Sequence, residues 1–310
     1  MSGCIDVQVN GYAGVDFNAA DLNIEQVIAA CRRLRRDGVD RILATVITDS
    51  VGAMTSKISR LAQFIGGDTE IAKTIAGIHV EGPFINSDDG YVGAHPRNAV
   101  IPATVETAKR LLDSGDGWVR MLTLAPEHDP NGATTKFLSD NNIVIAAGHC
   151  DATLDQLRCG IDCGLRMFTH LGNGCPALMN RHDNIIQRVL SLADRLTISF
   201  IADGHHVPDY ALKNYLRCVP DDHVIITTDA ISAAGQGPGI HSLSGQSVIV
   251  DSDGAAWAMT ADGTRDNHFA GCATTMPKMI EILKSRVGAT DQQIAKWTRS
   301  NAFDLFKGNL

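Results

Sequence analysis

Two kinds of apolar pattern alternate along this chain. Short runs rich in β-branched residues occupy positions 5–9, 41–46, 75–80, 119–124, 143–147, 165–169, 196–201 and 224–228, each the length of a strand. Between them lie stretches whose apolar residues return every three or four positions. In 24–36, Val27, Ile28, Cys31 and Leu34 share one face while Arg32, Arg33, Arg35 and Arg36 fall largely elsewhere, which is helical spacing. Positions 105–112, 153–163, 184–192 and 209–218 read the same way, with Asp151 or Thr153 as a cap for the second of these. Eight strands alternating with helices over roughly 230 residues predict an α/β protein built as a parallel (β/α)₈ TIM barrel. A doubly wound open sheet is the alternative, but no G-x-G-x-x-G follows the first strand. After the eighth strand the pattern changes. Positions 247–251, a Ser252-Asp253-Gly254 turn and positions 255–260 predict an inserted β-hairpin, followed by helices near 272–283 and 291–306. No linker rich in Pro or Ser divides the chain and no repeat appears beyond the β/α unit, so 1–310 reads as a single barrel domain.

Composition changes this picture little. Hydrophobic residues at 44% and charged residues at 20% suit a globular enzyme with a sizeable core and argue against disorder. No apolar stretch of about 18 residues exists and no basic segment precedes an apolar run near the N-terminus, so neither a membrane span nor a secretory leader is expected and a cytoplasmic location follows. A net charge of −8 argues against a nucleic-acid surface and mildly repels a phosphorylated ligand, which local donors would have to hold. Eight scattered cysteines contain no C-x-x-C pair and read as reduced, mostly buried hydrophobes. Cys150 and Cys175 stand close to histidines in sequence, which leaves a ligand role open to them.

In a parallel barrel the working residues sit at the C-terminal ends of strands. The third run ends in His-Val-Glu-Gly-Pro-Phe, giving Glu81; the fifth in Ala-Gly-His, giving His149; the sixth in Phe-Thr-His, giving His170; the eighth in Thr-Thr-Asp-Ala, giving Asp229. One carboxylate and two imidazoles can hold a divalent ion and leave a position for water, as a catalytic site requires, with Asp229 as the base. Each residue also has a plainer reading. A lone strand-end histidine is commonly a hydrogen-bonded structural group, and a buried aspartate commonly caps a helix. Four such residues on one end of four strands keep both readings in play.

Longer segments carry a resemblance. Ile-Asp-Val-Gln-Val-Asn-Gly at 5–11, His-Val-Glu-Gly-Pro-Phe-Ile-Asn at 79–86, Gly-Ala-His-Pro at 93–96, Leu-Ala-Pro-Glu at 124–127, Gly-His at 148–149, Thr-His-Leu-Gly-Asn at 169–173, Ile-Ala-Asp-Gly-His-His-Val at 201–207 and Thr-Asp-Ala at 228–230 fall in the order found in the N-acetylglucosamine-6-phosphate deacetylase family of the amidohydrolase superfamily. The resemblance implies a barrel of the metallo-dependent hydrolase type that removes the acetyl group from N-acetylglucosamine-6-phosphate. It implies Glu81, His149 and His170 as metal ligands, Asp229 as acid/base, His95 on the substrate carbonyl, and Asn173 and His206 on the sugar phosphate. Many amidohydrolases carry His-x-His on strand one for a second metal. Here Gln8 and Asn10 stand at those positions, and amides are poor ligands, so one divalent ion is expected, Zn²⁺ first, with Fe²⁺, Mn²⁺ and Co²⁺ also compatible.

Two departures accompany the likeness. The family's small β-sandwich, assembled from segments flanking the barrel, has no counterpart in these residues. A homodimer that covers the apolar surface so exposed is the expectation. The usual Asn-Ala-Met after Thr169-His170 is replaced by Gly172-Asn173-Gly174-Cys175-Pro176, and Arg181 beyond it is expected to meet the phosphate as a planar donor fork, across a dimer interface. The competing readings are a metallohydrolase for another N-acyl sugar, an acylated amino acid or a cyclic amide, and a non-catalytic metal-binding barrel. His182 and His205 read as surface residues.

Overall fold

The computed structural model describes residues 3–260, 262–308 and 310. Eight strands, β1 (Cys4–Val9), β2 (Val39–Ile47), β3 (Ile75–Glu81), β4 (Val119–Leu124), β5 (Val144–Ala147), β6 (Leu165–Phe168), β7 (Thr197–Phe200) and β8 (Val224–Ile226), pair in sequence order and all in parallel. The ring closes between β8 and β1 without a regular ladder. The backbone amides of Asn10 and Gly11 both donate to the Ala230 carbonyl, and the buried Asp6 carboxylate accepts from the Thr227 and Thr228 hydroxyls at 2.6 Å each. This is the (β/α)₈ barrel the alternating pattern predicts.

Helices α1 (Ile24–Arg36), α2 (Val51–Gly67), α3 (Val105–Ser114), α4 (Ala133–Asp140), α5 (Leu154–Asp162), α6 (Ile185–Leu190), α7 (Asp209–Cys218) and α8 (Met276–Ile282) wrap the sheet. Asn23 and Thr153 each close a capping box with a Gln three residues on, which satisfies two orphan amides and fixes where α1 and α5 begin. Of the two caps read for α5, Thr153 is the one used. The sequence reading missed α2 and α4, although Met54, Ile58, Leu61 and Ile65 recur at helical spacing and are buried against the sheet.

The barrel interior changes character along its axis. Its lower half is apolar, with Ile5, Val7, Leu43, Met121, Met167 and Ile225 closed from below by Ala302 and Phe306 of the last helical turns. Above these, fully buried Thr45, His79, Thr123, Thr169, Ser199 and Thr227 form a polar floor beneath the barrel mouth.

The insertion after β8 is larger than the expected hairpin. Strands β9 (Gly239–Leu243), β10 (Gln246–Val250), β11 (Ala256–Met259) and β12 (Arg265–Phe269) make an antiparallel meander. The two central strands are those read from the alternation. The flanking strands Gly-Ile-His-Ser-Leu and Arg-Asp-Asn-His-Phe lack an apolar alternation to announce them. The sheet packs Leu243, Val248, Val250, Ala256 and Ala258 onto Ile47 and Ile231 at the mouth of the barrel. Among the described residues no helix is long and apolar enough to cross a membrane.

Candidate active site

Two cavities of similar size lie at opposite ends of the strands, one of about 710 Å³ at their C-terminal ends and one of about 680 Å³ near the starts of β4 and β5. Size does not choose between them, and chemistry does. The first contains Glu81, His95, His149, His170, His206 and Asp229. The second holds none of the His, Cys, Asp and Glu groupings found among the described residues.

The backbone explains how these side chains reach the mouth. Glu81 ends β3, while His149, His170 and Asp229 follow β5, β6 and β8 by two or three residues. All three of the latter have left-handed backbone conformations, with φ of 51°, 33° and 51°. A non-glycine residue held there costs on the order of 1–3 kcal/mol, and such outliers gather at functional sites. The reversal turns each side chain from the strand direction into the cavity.

Glu81 is the centre of the cluster. His170 Nε2 lies 3.0 Å and His149 Nε2 3.3 Å from its Oε1, and His95 Nε2 lies 3.9 Å from Oε2. Burial alone would raise the Glu81 carboxyl, but the surrounding histidines hold it well below the usual carboxylate range. Asp229 is pushed the other way, up to about 6, by burial first and by the negative charge of Glu81 second. His95 is driven down to about 3 by burial and by the neighbouring His149, so its imidazole is neutral.

The amides on strand one have a clear role. Gln8 Nε2 donates to Glu81 Oε1 at 2.9 Å and its Oε1 accepts from Thr169 Oγ1 at 2.7 Å; Asn10 Nδ2 donates to Asp229 Oδ1 at 2.7 Å. These donors orient the two acids.

The donor set fits a single divalent ion. The His149 Nδ1–H donates to the Tyr91 carbonyl at 2.7 Å, which leaves an unprotonated Nε2 facing a carboxylate oxygen in the neutral ring. Two lone pairs confronted at that distance repel unless a positive charge lies between them, which a metal ion supplies or a second proton on the ring. Burial opposes that proton, and Glu81 outweighs it and raises the His149 imidazole. Metal–ligand bonds of about 2.0–2.1 Å in a tetrahedron place ligand atoms about 3.3 Å apart, close to the two separations at Oε1. Among the described residues, buried His170 Nδ1, His95 Nδ1 and Asn10 Oδ1 have no hydrogen-bond partner. The set of donor atoms that all lie within 4.8 Å of one another is Glu81, His95 and His149; it contains His95 and not His170, so on mutual distance alone His95 ranks ahead of His170 as the third ligand. The approach of His95 to the other carboxylate oxygen separates it from the pair at Oε1.

Not every expected residue is placed as read. Asn173 lines the cavity, but its Nδ2 donates to the His170 carbonyl at 3.1 Å and so braces that turn. His206 lines the cavity with Nδ1 held by Asp203 at 2.7 Å. Arg181 is exposed and does not line the cavity of its own chain. Cys150 is buried away from the ligand atoms with its thiol pushed well up by desolvation, and Cys175 lines the wall with its thiol raised to about 11. His182 is exposed, and His205 Nε2 meets the Asp253 carbonyl at 3.1 Å on the inserted sheet, both as read. Sequence reasoning missed Arg97, the only Lys or Arg among the described residues lining the cavity, which pairs with Asp89, and also His268 and Phe269. The last two come from the insertion, where no pattern marks them.

A second donor grouping, Asp203, His206 and Cys272, also falls within 4.8 Å. The 2.7 Å Asp203–His206 separation is that of a hydrogen bond, and desolvation followed by the charge of Asp203 keeps the Cys272 thiol protonated. It is a hydrogen-bonded network.

A parallel barrel with this strand-end constellation is a TIM barrel of the metallo-dependent hydrolase type. No family model matches the chain. An N-acetylglucosamine-6-phosphate deacetylase of Bos taurus is 31% identical over 297 residues, covering 93% of this chain and 69% of the relative. The deacetylase of the same name from Bacillus subtilis is 28% identical over 304 residues, covering 97% and 74%. The solved structure of a point mutant of the Mycobacterium smegmatis N-acetyl-D-glucosamine-6-phosphate deacetylase, in complex with N-acetyl-D-glucosamine-6-phosphate, superposes with a TM-score of 0.88 at 26% identity, covering 99% of this chain and 77% of that one. The chain belongs to the N-acetylglucosamine-6-phosphate deacetylase family.

Proposed function

We propose that this protein hydrolyses the acetamide of N-acetylglucosamine-6-phosphate to acetate and glucosamine-6-phosphate. The observation that carries the reading is the strand-end cluster in a deacetylase-family barrel, with His170 and His149 Nε2 at 3.0 and 3.3 Å from one Glu81 oxygen and Asp229 and His95 lining the same cavity. Glu81, His149 and His170 hold one divalent ion, with Zn²⁺ the first choice for two imidazoles and a carboxylate. The ion supplies a Lewis acid that polarises the acetyl carbonyl and makes water more acidic.

The chain's own groups perform the proton transfers. Asp229, oriented by Asn10, takes a proton from the attacking water as the water oxygen bonds to the acetyl carbon. His95, neutral in its buried setting, donates an N–H to the carbonyl oxygen as negative charge gathers there. Asp229 then passes its proton to the amide nitrogen while the C–N bond breaks, so one water is consumed and no other co-reactant is needed. Gln8 keeps Glu81 aimed throughout.

Asn173, His206 and Arg181 serve the sugar-phosphate end, Arg181 from a second subunit. A homodimer follows from assigning Arg181 to a second subunit's cavity, and Leu178, 92% exposed on the same loop, lies where that contact would form. Residues 1–310 act as one barrel unit in this reading. The eight unpaired cysteines support a reducing, cytoplasmic setting.

Acetate release from N-acetylglucosamine-6-phosphate, its galactosamine epimer and unphosphorylated N-acetylglucosamine tests this, using metal-loaded protein. The expected result is turnover of the glucosamine phosphate first and loss of at least about 10²–10⁴-fold in kcat for Asp229→Asn. Absence of acetate from all three substrates with one ion bound per chain would overturn it.

A further inference from the structure

Asp203 stands in the Ile-Ala-Asp-Gly-His-His-Val segment, 4% exposed, and contributes neither to the metal cluster nor to the cavity lining. Its two oxygens do different work. Oδ1 accepts the backbone amides of His205 and His206 at 2.9 Å each, which shapes the loop. Oδ2 faces His206 Nδ1 at 2.7 Å and Cys272 Sγ at 3.5 Å. Burial alone would raise the Asp203 carboxyl, but the charge and hydrogen bond of His206, with the two amides, hold it far below its ordinary range. An ionised carboxylate only accepts, so His206 Nδ1 carries the proton. The Phe269 ring, 4.7 Å from the imidazole and tilted 38°, holds the other side. Among the described residues no hydrogen bond reaches Nε2, on a side chain that lines the cavity.

A neutral ring in this tautomer would turn a lone pair toward the substrate, and a lone pair repels a phosphate oxygen. A second proton on Nε2 makes the ring a charge-assisted donor. Burial opposes that proton, and the charges facing the ring, Asp203 foremost and then Asp229, favour it and raise His206 above its ordinary value.

We propose that Asp203 is a positioning residue that locks His206 with Nε2 toward the cavity and serves as its buried counter-ion, so that His206 grips the phosphate of the substrate as an imidazolium. The inference rests on the deacetylase reading for the identity of the phosphate ligand. The carboxylate touches no substrate atom and acts only through the ring. A role confined to shaping the loop would need Oδ1 alone.

The test uses metal-loaded, ¹⁵N-histidine-labelled protein, with His206→Asn to assign the resonance. In the free protein His206 is expected to show a protonated Nδ1, and on addition of glucosamine-6-phosphate both nitrogens should become protonated. Asp203→Asn, which keeps an oxygen for the two amides, is expected to raise KM for N-acetylglucosamine-6-phosphate about 10- to 100-fold, with kcat changed far less. In a His206→Asn background the same change should alter KM less than about twofold, because coupled residues are not additive. An Nε2-protonated tautomer in the free wild type, or a ring that stays neutral with glucosamine-6-phosphate bound, overturns the proposal whether or not any variant folds. So does an undiminished effect of Asp203→Asn in the His206→Asn background. Failure of the deacetylase reading would show separately, as no acetate from the wild type, while the tautomer and the binding of inorganic phosphate could still be read.

Discussion

His149 does two jobs that compete for space. Its Nδ1 must reach the Tyr91 carbonyl so that Nε2 is free for an ion, yet the loop after His170 packs directly on its ring. Gly174 makes that approach possible. A Cβ there would sit 2.8 Å from His149 Nδ1 and 3.1 Å from Cγ and Cε1, on a backbone with φ of +59°. Gly174→Ala should therefore displace the ring, and loss of such outer support typically weakens metal binding about 10- to 100-fold. Competition with a chelator measures this directly. Unchanged affinity would mean that the ring position is not what prepares the site. Glycine at this position is a packing requirement that spacing alone does not announce, since its partner is 25 residues earlier in the chain.

Three residues on strand β1 or immediately after it organise the barrel mouth. Asp6 closes the seam to β8, Gln8 orients Glu81, and Asn10 orients Asp229. Asp6 is the structural member of this set. Burial raises its carboxyl, and the Thr227 and Thr228 donors oppose that rise. Asp6→Ala would leave two buried hydroxyls and the Thr228 amide without their acceptor, at a cost of about 2–4 kcal/mol. Urea unfolding should show the loss as a lower midpoint with the slope unchanged. A midpoint shift below about 0.5 kcal/mol equivalent would mean that water enters the seam and replaces the carboxylate. At this scale the alternation of strands and helices was legible because it is written in apolar periodicity, and the gathering of Glu81, His149, His170 and Asp229 in one cavity was legible because barrels place strand-end residues together. What was not legible has specific causes. The polar seam between β1 and β8 depends on side chains 221 and 222 positions apart. The outer strands of the insertion are too polar to show an alternation. The exchange of His-x-His for Gln8 and Asn10 was legible in the sequence, but only the folded arrangement reveals that the two amides hydrogen-bond to Glu81 and Asp229.

The molecule as a whole is poorly charged for a phosphorylated substrate. It carries a net −8, and its cavity holds Glu81, Asp89 and Asp229 against a single Lys or Arg among the described residues, Arg97, already paired with Asp89. The phosphate must therefore be gripped by few groups at short range. Within one chain the imidazolium of His206 is the strongest of these in our reading. Arg181 is exposed and outside its own cavity, so it helps only if a second copy brings it in. Leu178, three residues before it and 92% exposed, is the position at which to break such a contact without touching the site. A single exposed leucine is ordinary on a monomer, which makes the prediction a sharp one. In sedimentation the wild type should run as a dimer and Leu178→Asp as a monomer. If Arg181 crosses between subunits, the monomer should show a KM for N-acetylglucosamine-6-phosphate raised about tenfold or more, the size expected from losing a charge-assisted pair. Its turnover at saturation should be preserved, because every group assigned to the chemistry lies within one chain. Arg181→Met should reproduce that KM while remaining dimeric. A monomeric Leu178→Asp with an unaltered KM would instead place the whole phosphate site within one chain, leaving His206 and Arg97 to account for it.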